Sequence, residues 1–530
     1  MHPYRSLAIV FAFLAVTNQA GAQTPSVESR WDAFHADPVK AMKQIPPKAN
    51  RKAATNFSAN DVRTGSFIQK KNEVRGGSAG SAICDEKGVC LKDILSGRAL
   101  AKEKPRDFFD AQDFKGKKPV FKLDEMESAG LLKATLDETP WSDTYWPLYQ
   151  GVLGARYANH SFQGGATWKG YYEFISNNKE TLKEIARDGN ELALLSLSPS
   201  EKYDLLIGDV VGDQKIYEAG YLTPHMWAEG RAYWDQYGEV EPWMGICHGW
   251  AAASYMVPRP KTAVEVPSAD GKLALKFYPS DMKGLTSYLW AKTAPPTRFI
   301  GGRCNDKDVK TDPESGRILD EKCFDTNPAN WHQIIVNQIG IAKRSFVMDA
   351  TFDYEVWNQP IHSYSYKYFN PQTGKSARKL STATVEVAKF TNDKFKKFRA
   401  PKTAYVVGIE MEVTYVVEAD ATHLETDTAA NDITQSVSYM YDLELDEKMN
   451  VIGGEWYSNA HPDFLWNPVY GHRAESLGDS QVTGAWDSSK PLPKFWRDLA
   501  VATATRQGVP MAAIIEALLE KSNAPTRAKR

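Results

Sequence analysis

The stretch "GICHGWAAASYMVPRPKTA", residues 245–263, constrains the fold more than any other. Cys247 opens a short apolar run that predicts a helix to about Met256. Pro258 and Pro260 end it, because proline lacks an amide hydrogen and clashes with the preceding turn. The patterning changes across this point. Upstream, "MESAGLLKATL", "TWKGYYEFISNN", "NKETLKEIARDG" (opened by Asn178 as N-cap) and "HMWAEGRAYWDQYG" read as helices or helical turns. Downstream, "HQIIVNQIG", "SFVMDATF", "TAYVVGIEMEVTYVVE", "QSVSYMYDLELD" and "NVIGGEW" are rich in β-branched and aromatic residues and read as strands. The chain is therefore expected to be α+β, a helical N-terminal part packed on a mostly antiparallel sheet. A helical pair broken near Gly508, Val509 and Pro510 closes it.

The N-terminus reads as an export signal: His2 and Arg5, an apolar run from Leu7 to Val16, then Ala20-Gly21-Ala22. Residues 1–22 are expected to be removed and the protein to be secreted or periplasmic. Its apolar run is too short to span a bilayer, and no later stretch approaches that length, so no stable membrane insertion is expected. Residues 23–118 are rich in Lys, Ala, Ser and Gly and read as a low-order leader or pro-segment, which would make the protein a zymogen. A catalytic domain is expected over 119–480 and a C-terminal helical segment with a tail over 481–530. A formal charge of −2 argues against nucleic acid as a partner.

Export also makes the five cysteines informative, since an oxidising compartment favours pairing. Cys84 and Cys90 flank one short polar turn and Cys304 and Cys323 flank a polar loop, so both pairs are plausible local disulfides. Cys247 is left over, and an odd thiol in a secreted protein suggests reactivity. It stands where a helix begins, where the helix dipole favours a thiolate. Gly245 leaves room for a substrate beside it. A thiolate needs an oriented histidine. "WHQIIVNQIGIAKRSFVMDATF" reads as a hairpin turning near residues 340–344, which places His332 opposite Asp349. Cross-strand neighbours have Cβ atoms about 5 Å apart, so Asp349 would orient the imidazole towards the thiol. The order Cys247, His332, Asp349 is that of papain-like and transglutaminase-like cores. Trp243, and Trp250 close by, are candidates for an oxyanion donor or a channel wall. Trp227, Trp234, Trp290 and Trp331 cluster near the same segments.

"GICHGWAAAS", "NPANWHQIIVNQIG", "SFVMDATFD", "TPWSDTYWPLYQG", "HPDFLWNP" and above all "VWNQP" resemble the transglutaminase-elicitor family of oomycetes and some bacteria. The resemblance covers roughly residues 120–470. It implies a protein-glutamine γ-glutamyltransferase whose triad falls on Cys247, His332 and Asp349, with Trp357, Asn358, Gln359 and Pro360 in the family motif. Protein substrates bearing accessible Gln and Lys, and small primary amines, would be its partners. No cofactor is required by the residues themselves. The resemblance implies calcium, although the acidic "NDKDVKTDPESGRILDE" loop lacks the spacing of an EF-hand. The metal ligands are therefore unassigned. A protein-glutamine deamidase, a papain-like peptidase and a non-enzymatic secreted wall-binding or adhesion protein are the competing readings.

Overall fold

The computed structural model describes residues 25–52, 117–157, 167–177, 182–209, 220–293, 295–302, 309–320, 323–351 and 355–525. The export signal, most of the leader, Asn178, Cys84, Cys90 and Cys304 lie outside them. Three helices and seven strands position the site. The helices are α1 (Cys247–Met256), α2 (Pro279–Thr293) and α3 (Pro328–Ile335). The strands are β1 (Thr297–Gly301), β2 (Val347–Asp349), β3 (Asn358–Phe369), β4 (Tyr405–Val417), β5 (Ile433–Leu445), β6 (Val451–Trp456) and β7 (Phe464–Pro468).

The expected α+β class holds. Helices crowd the N-terminal part, and the strands join one antiparallel sheet in the order β5-β4-β3-β2-β7-β1, with β6 also on β5. The longest ladder runs from Tyr405 opposite Leu445 to Val417 opposite Ile433. β3 joins the two halves of the sheet: its first residues pair with β2 and the remainder with β4, with a register shift beside Tyr415. Such a shift bends a strand, and here it lets one end of β3 reach towards α1.

Two apolar clusters flank this sheet. One holds the helical part, including Trp146, Leu153, Trp227, Cys247, Trp250 and Leu285. The other lies under α3 and the long strands and includes Trp331, Ile334, Ile335, Tyr366, Ile409 and Tyr441. Successive strand residues point to opposite faces, so Val347 joins the first cluster and Met348 the second. Within the helical part α1 and α2 are in intimate contact, because a Cβ at Gly249 would run into the Ser287 carbonyl oxygen. Ion pairs anchor this helix pair to the sheet: Arg259, just beyond α1, binds Asp427 and Asp432, and Lys283 of α2 binds Asp427.

Three expectations need correction. "HQIIVNQIG" is not a strand. Asn327 caps the Ala329 amide, Pro328 takes the first turn, and α3 runs on into a π-helical turn over Val336–Ala342. Every residue of α3 is buried, and a short apolar run of this kind does not by itself distinguish strand from buried helix. The predicted hairpin therefore does not exist, and β2 pairs with β3 and β7 instead. Likewise, part of the supposed low-order leader is folded. Ser26 caps a helix over Val27–Ala36, whose Val27 and Phe34 pack with Phe369, Phe395 and Tyr457, and Lys48–Lys52 pairs with β5. Finally, "MESAGLLKATL" is helical only over Leu123–Ser128 and then gives a short strand, Lys133–Thr135. At the C-terminus the helices Lys494–Gln507 and Ala512–Asn523 form as expected, separated at Gly508 in the left-handed conformation.

Candidate active site around Cys247

Cys247 is the first residue of α1 and a free, buried thiol. Ile246 in the N-cap position offers no side-chain cap, and the first amides of a helix have no intrahelical acceptor. The segment entering α1 is held tightly. Ile246 donates its amide to the Tyr145 carbonyl at 2.8 Å, and a Cβ at Gly245 would strike that same oxygen. Gly245 therefore admits a neighbouring backbone, not a substrate.

Two groups lie within hydrogen-bonding range of the sulfur. The thiol faces the Val356 carbonyl at 3.7 Å, and the Asn358 side-chain amide donates to Sγ at 3.5 Å. Burial pushes the thiol's pKa up, and the charge of Asp349 pushes the same way. The Asn358 side chain, the Asn358 amide and the His248 amide pull it down. Charge near the sulfur is thus opposed by burial and supported by nearby N–H groups, the Asn358 side chain first among them.

Asn358 is itself fixed. The Trp466 indole donates to its Oδ1 at 2.7 Å. Across the strands Asn358 is paired with Asp349. Oδ1 of that carboxylate accepts from the Trp357 amide at 3.0 Å and from the amide and hydroxyl of Thr351 at 3.2 and 2.9 Å. Partly exposed aromatics stand around this point: the Trp357 ring meets Tyr145 edge-on at 5.4 Å, and Trp466 lies on the other flank.

Of the expected triad, the structure brings Asp349 into the neighbourhood of Cys247 and leaves His332 elsewhere. His332 is fully buried on α3, its Nδ1 2.8 Å from the Tyr441 hydroxyl and its ring edge-on to Tyr366 at 4.7 Å. Its Nε2 has no hydrogen-bond partner. Tyr366 is eight residues beyond Asn358 along β3 (366 − 358), roughly 25 Å at the rise of a strand. Burial pushes the His332 pKa down to about 3. The expected contacts of His332 with Cys247 and Asp349 are absent, because the helix that replaces the hairpin carries the imidazole into the sheet-side core.

The tryptophan expectations are also revised. The Trp243 indole N–H is taken by Glu241, and that of Trp250, wholly buried, by the Trp141 carbonyl at 2.9 Å. Neither N–H is free for an oxyanion. Trp331 is sealed against Tyr439 and Trp456. The aromatic residue that does reach the site, Trp466, belongs to the "HPDFLWNP" block. Its tryptophan was visible in the sequence, but nothing there connects it to "VWNQP" without the pairing of β7 with β2. The rest of that motif is structural: Gln359 donates to Glu418, and Pro360 pairs opposite Val347.

Of the four cysteines expected to pair, Cys323 alone lies among the described residues, and it is buried. For the calcium that the family resemblance implies, no cluster of three or more His, Cys, Asp or Glu side chains among the described residues is arranged to hold a cation, so no chemical step is routed through one. No helix among the described residues is long and apolar enough to cross a membrane.

Residues 228–481 match the model of the family described as Transglutaminase elicitor. This region contains Cys247, Asp349, Asn358 and Trp466. The resemblance seen in the motifs therefore stands over these residues. Among solved structures, the GP42 transglutaminase from Phytophthora sojae matches with 19% identity and a TM-score of 0.45, over 78% of this chain and 99% of that one. No curated protein matches the sequence.

Proposed function

We propose that the protein is a protein-glutamine γ-glutamyltransferase, exported to the cell exterior or periplasm, in which Cys247 accepts the acyl group. The observation that carries this reading is a free thiol on the first residue of a helix, faced by a fixed amide donor. It lies within the residues that match the Transglutaminase elicitor family. The Cys247 sulfur attacks the side-chain carboxamide of a substrate glutamine. The C–N bond breaks and ammonia leaves with the thiol proton, giving a thioester. A lysine or small primary amine then attacks the thioester carbon, forms the isopeptide bond and returns a proton to the sulfur. The Cys247 amide at the start of α1 is the natural donor to the oxyanion. The half-exposed rings of Tyr145, Trp357 and Trp466 would exclude water, which favours the amine over hydrolysis.

One observation favours a second, non-enzymatic reading: burial raises the thiol's pKa, and no imidazole is among its hydrogen-bond partners. A single assay separates the readings. The purified protein is incubated with casein and a labelled primary amine, and label and ammonia are followed together. Label with ammonia is the expected result. Ammonia alone means a deamidase, new peptide termini a peptidase, and neither product a binding protein.

A further inference from the structure

We propose that Asn358 is the catalytic partner of Cys247, a side-chain amide that steadies the sulfur as a thiolate where sequence reasoning places an imidazole, and that Trp466 is the residue that positions it. This rests on the reading of Cys247 as an acyl-accepting nucleophile.

An indole N–H donates and never accepts. Trp466 Nε1 stands 2.7 Å from one end of the Asn358 amide, so that end must be the carbonyl oxygen. The other end, the NH2, is then obliged to face the sulfur at 3.5 Å. The side-chain orientation is thereby set by chemistry, and Asn358 is only 5% exposed, so water does not compete for it. The Asn358 NH2 is a donor and suits a negative sulfur, while the Val356 carbonyl at 3.7 Å is the acceptor a neutral thiol uses. The strand pairing explains why this residue holds the position: Asn358 is directly across from Asp349 of β2, and the Trp466 indole reaches it from β7, the strand beyond β2.

An amide does not take up a proton near neutral pH, so Asn358 is no general base. The thiol proton departs with the leaving ammonia, and protons balance over the full turnover. The chemistry has a signature: the nucleophilicity of Cys247 follows one ionisation, its own, whereas a thiolate–imidazolium pair shows two.

The test is the rate of Cys247 alkylation by iodoacetamide in the full chain between pH 5 and 10, read by mass spectrometry of the Cys247 peptide. The wild type is expected to show a single ionisation. Asn358→Ala is expected to move it upward by about one to two units, since a hydrogen bond to a charged group is worth that much. Asn358→Asp should move it further, because a carboxylate repels the thiolate. Trp466→Phe, which frees the amide to turn, should move it in the same direction by less. If Asn358→Ala does not fold, judged by circular dichroism, Trp466→Phe decides. An unmoved ionisation in the folded variants overturns the proposal, as does a second wild-type ionisation that disappears in His332→Gln. Amine incorporation by the wild type is measured alongside. Alkylation that follows Asn358 without acyl transfer overturns only the assigned activity. Acyl transfer with alkylation indifferent to Asn358 and Trp466 overturns only the roles of those two residues.

Discussion

Cys247 and His332 are both buried side chains able to do chemistry, yet their surroundings differ in kind. Around Cys247 the neighbours are oriented amides, a carboxylate one strand away and rings partly open to solvent. Around His332 there are tyrosines and aliphatic side chains, one hydrogen bond and a second nitrogen with no partner. The first environment can respond to a change of charge at its centre. The second resists one: burial alone drives the His332 pKa down to about 3. Residue type made the two equal candidates in the sequence. The element that carries each residue, and what faces that element, separates them.

The sharpest way to break this contrast is to remove the thiol. Cys247→Ala is expected to lower label incorporation by at least about 1,000-fold. Its melting temperature should change little, because alanine fits the first position of α1. Equal activity in that variant would remove the basis for treating the two pockets differently.

A second change acts on the packing behind the thiol. Gly249→Ala puts a methyl group against the Ser287 carbonyl and is expected to cost about 3 kcal/mol, measured by urea unfolding. α2 would have to move from α1, so activity should fall with stability. An unchanged unfolding midpoint would contradict the close approach of these helices.

The His332 pocket is tested by pH. In the folded state its pKa lies near 3, against about 6.5 when exposed. Above pH 6.5 both states are neutral there and nothing is lost. As pH falls from 6.5 towards 3, only the unfolded chain takes up the proton, so stability declines by up to about 1.4 kcal/mol per pH unit. His248 and His461, both pushed down to about 4 by burial, act in the same window. His332→Gln keeps a polar partner for Tyr441. It is expected to cost about 1–2 kcal/mol at pH 7 and to flatten the acid limb measured at pH 7, 5.5 and 4.5. A limb of unaltered slope would show that the imidazole is not held neutral.

The smallest effect is expected at Trp243→Phe. Its N–H serves Glu241, so initial rates should fall by less than about threefold. A loss of 100-fold or more would restore it as an oxyanion donor.

These outcomes bear on what the sequence could reveal. The helix starting at Cys247 was legible because Pro258 and Pro260 stop it, and the long strands because β-branched and aromatic residues dominate "TAYVVGIEMEVTYVVE" and "QSVSYMYDLELD". Asp349 was correctly placed late in a strand. Its cross-strand partner was not, for a physical reason. The run after Trp331 is buried on every side, and its β-branched Ile334, Ile335 and Val336 favour the strand reading. Asp349 pairs with Asn358, nine residues further on. The Trp466 contact depends on β7, over a hundred residues away, and no local pattern encodes it. The folded segment over residues 27–36 was hidden by its polar composition, although Ser26 is a sound N-cap.

The central claim is that Cys247 carries the acyl group. The most direct measurement incubates the protein with a glutamine-containing peptide and no amine acceptor, quenches in acid and locates any adduct by mass spectrometry. A thioester is expected on the Cys247 peptide, heavier by the substrate peptide less one ammonia and released by added amine. Acyl transfer to amine that persists in Cys247→Ala, or an adduct on any other residue, would contradict that claim.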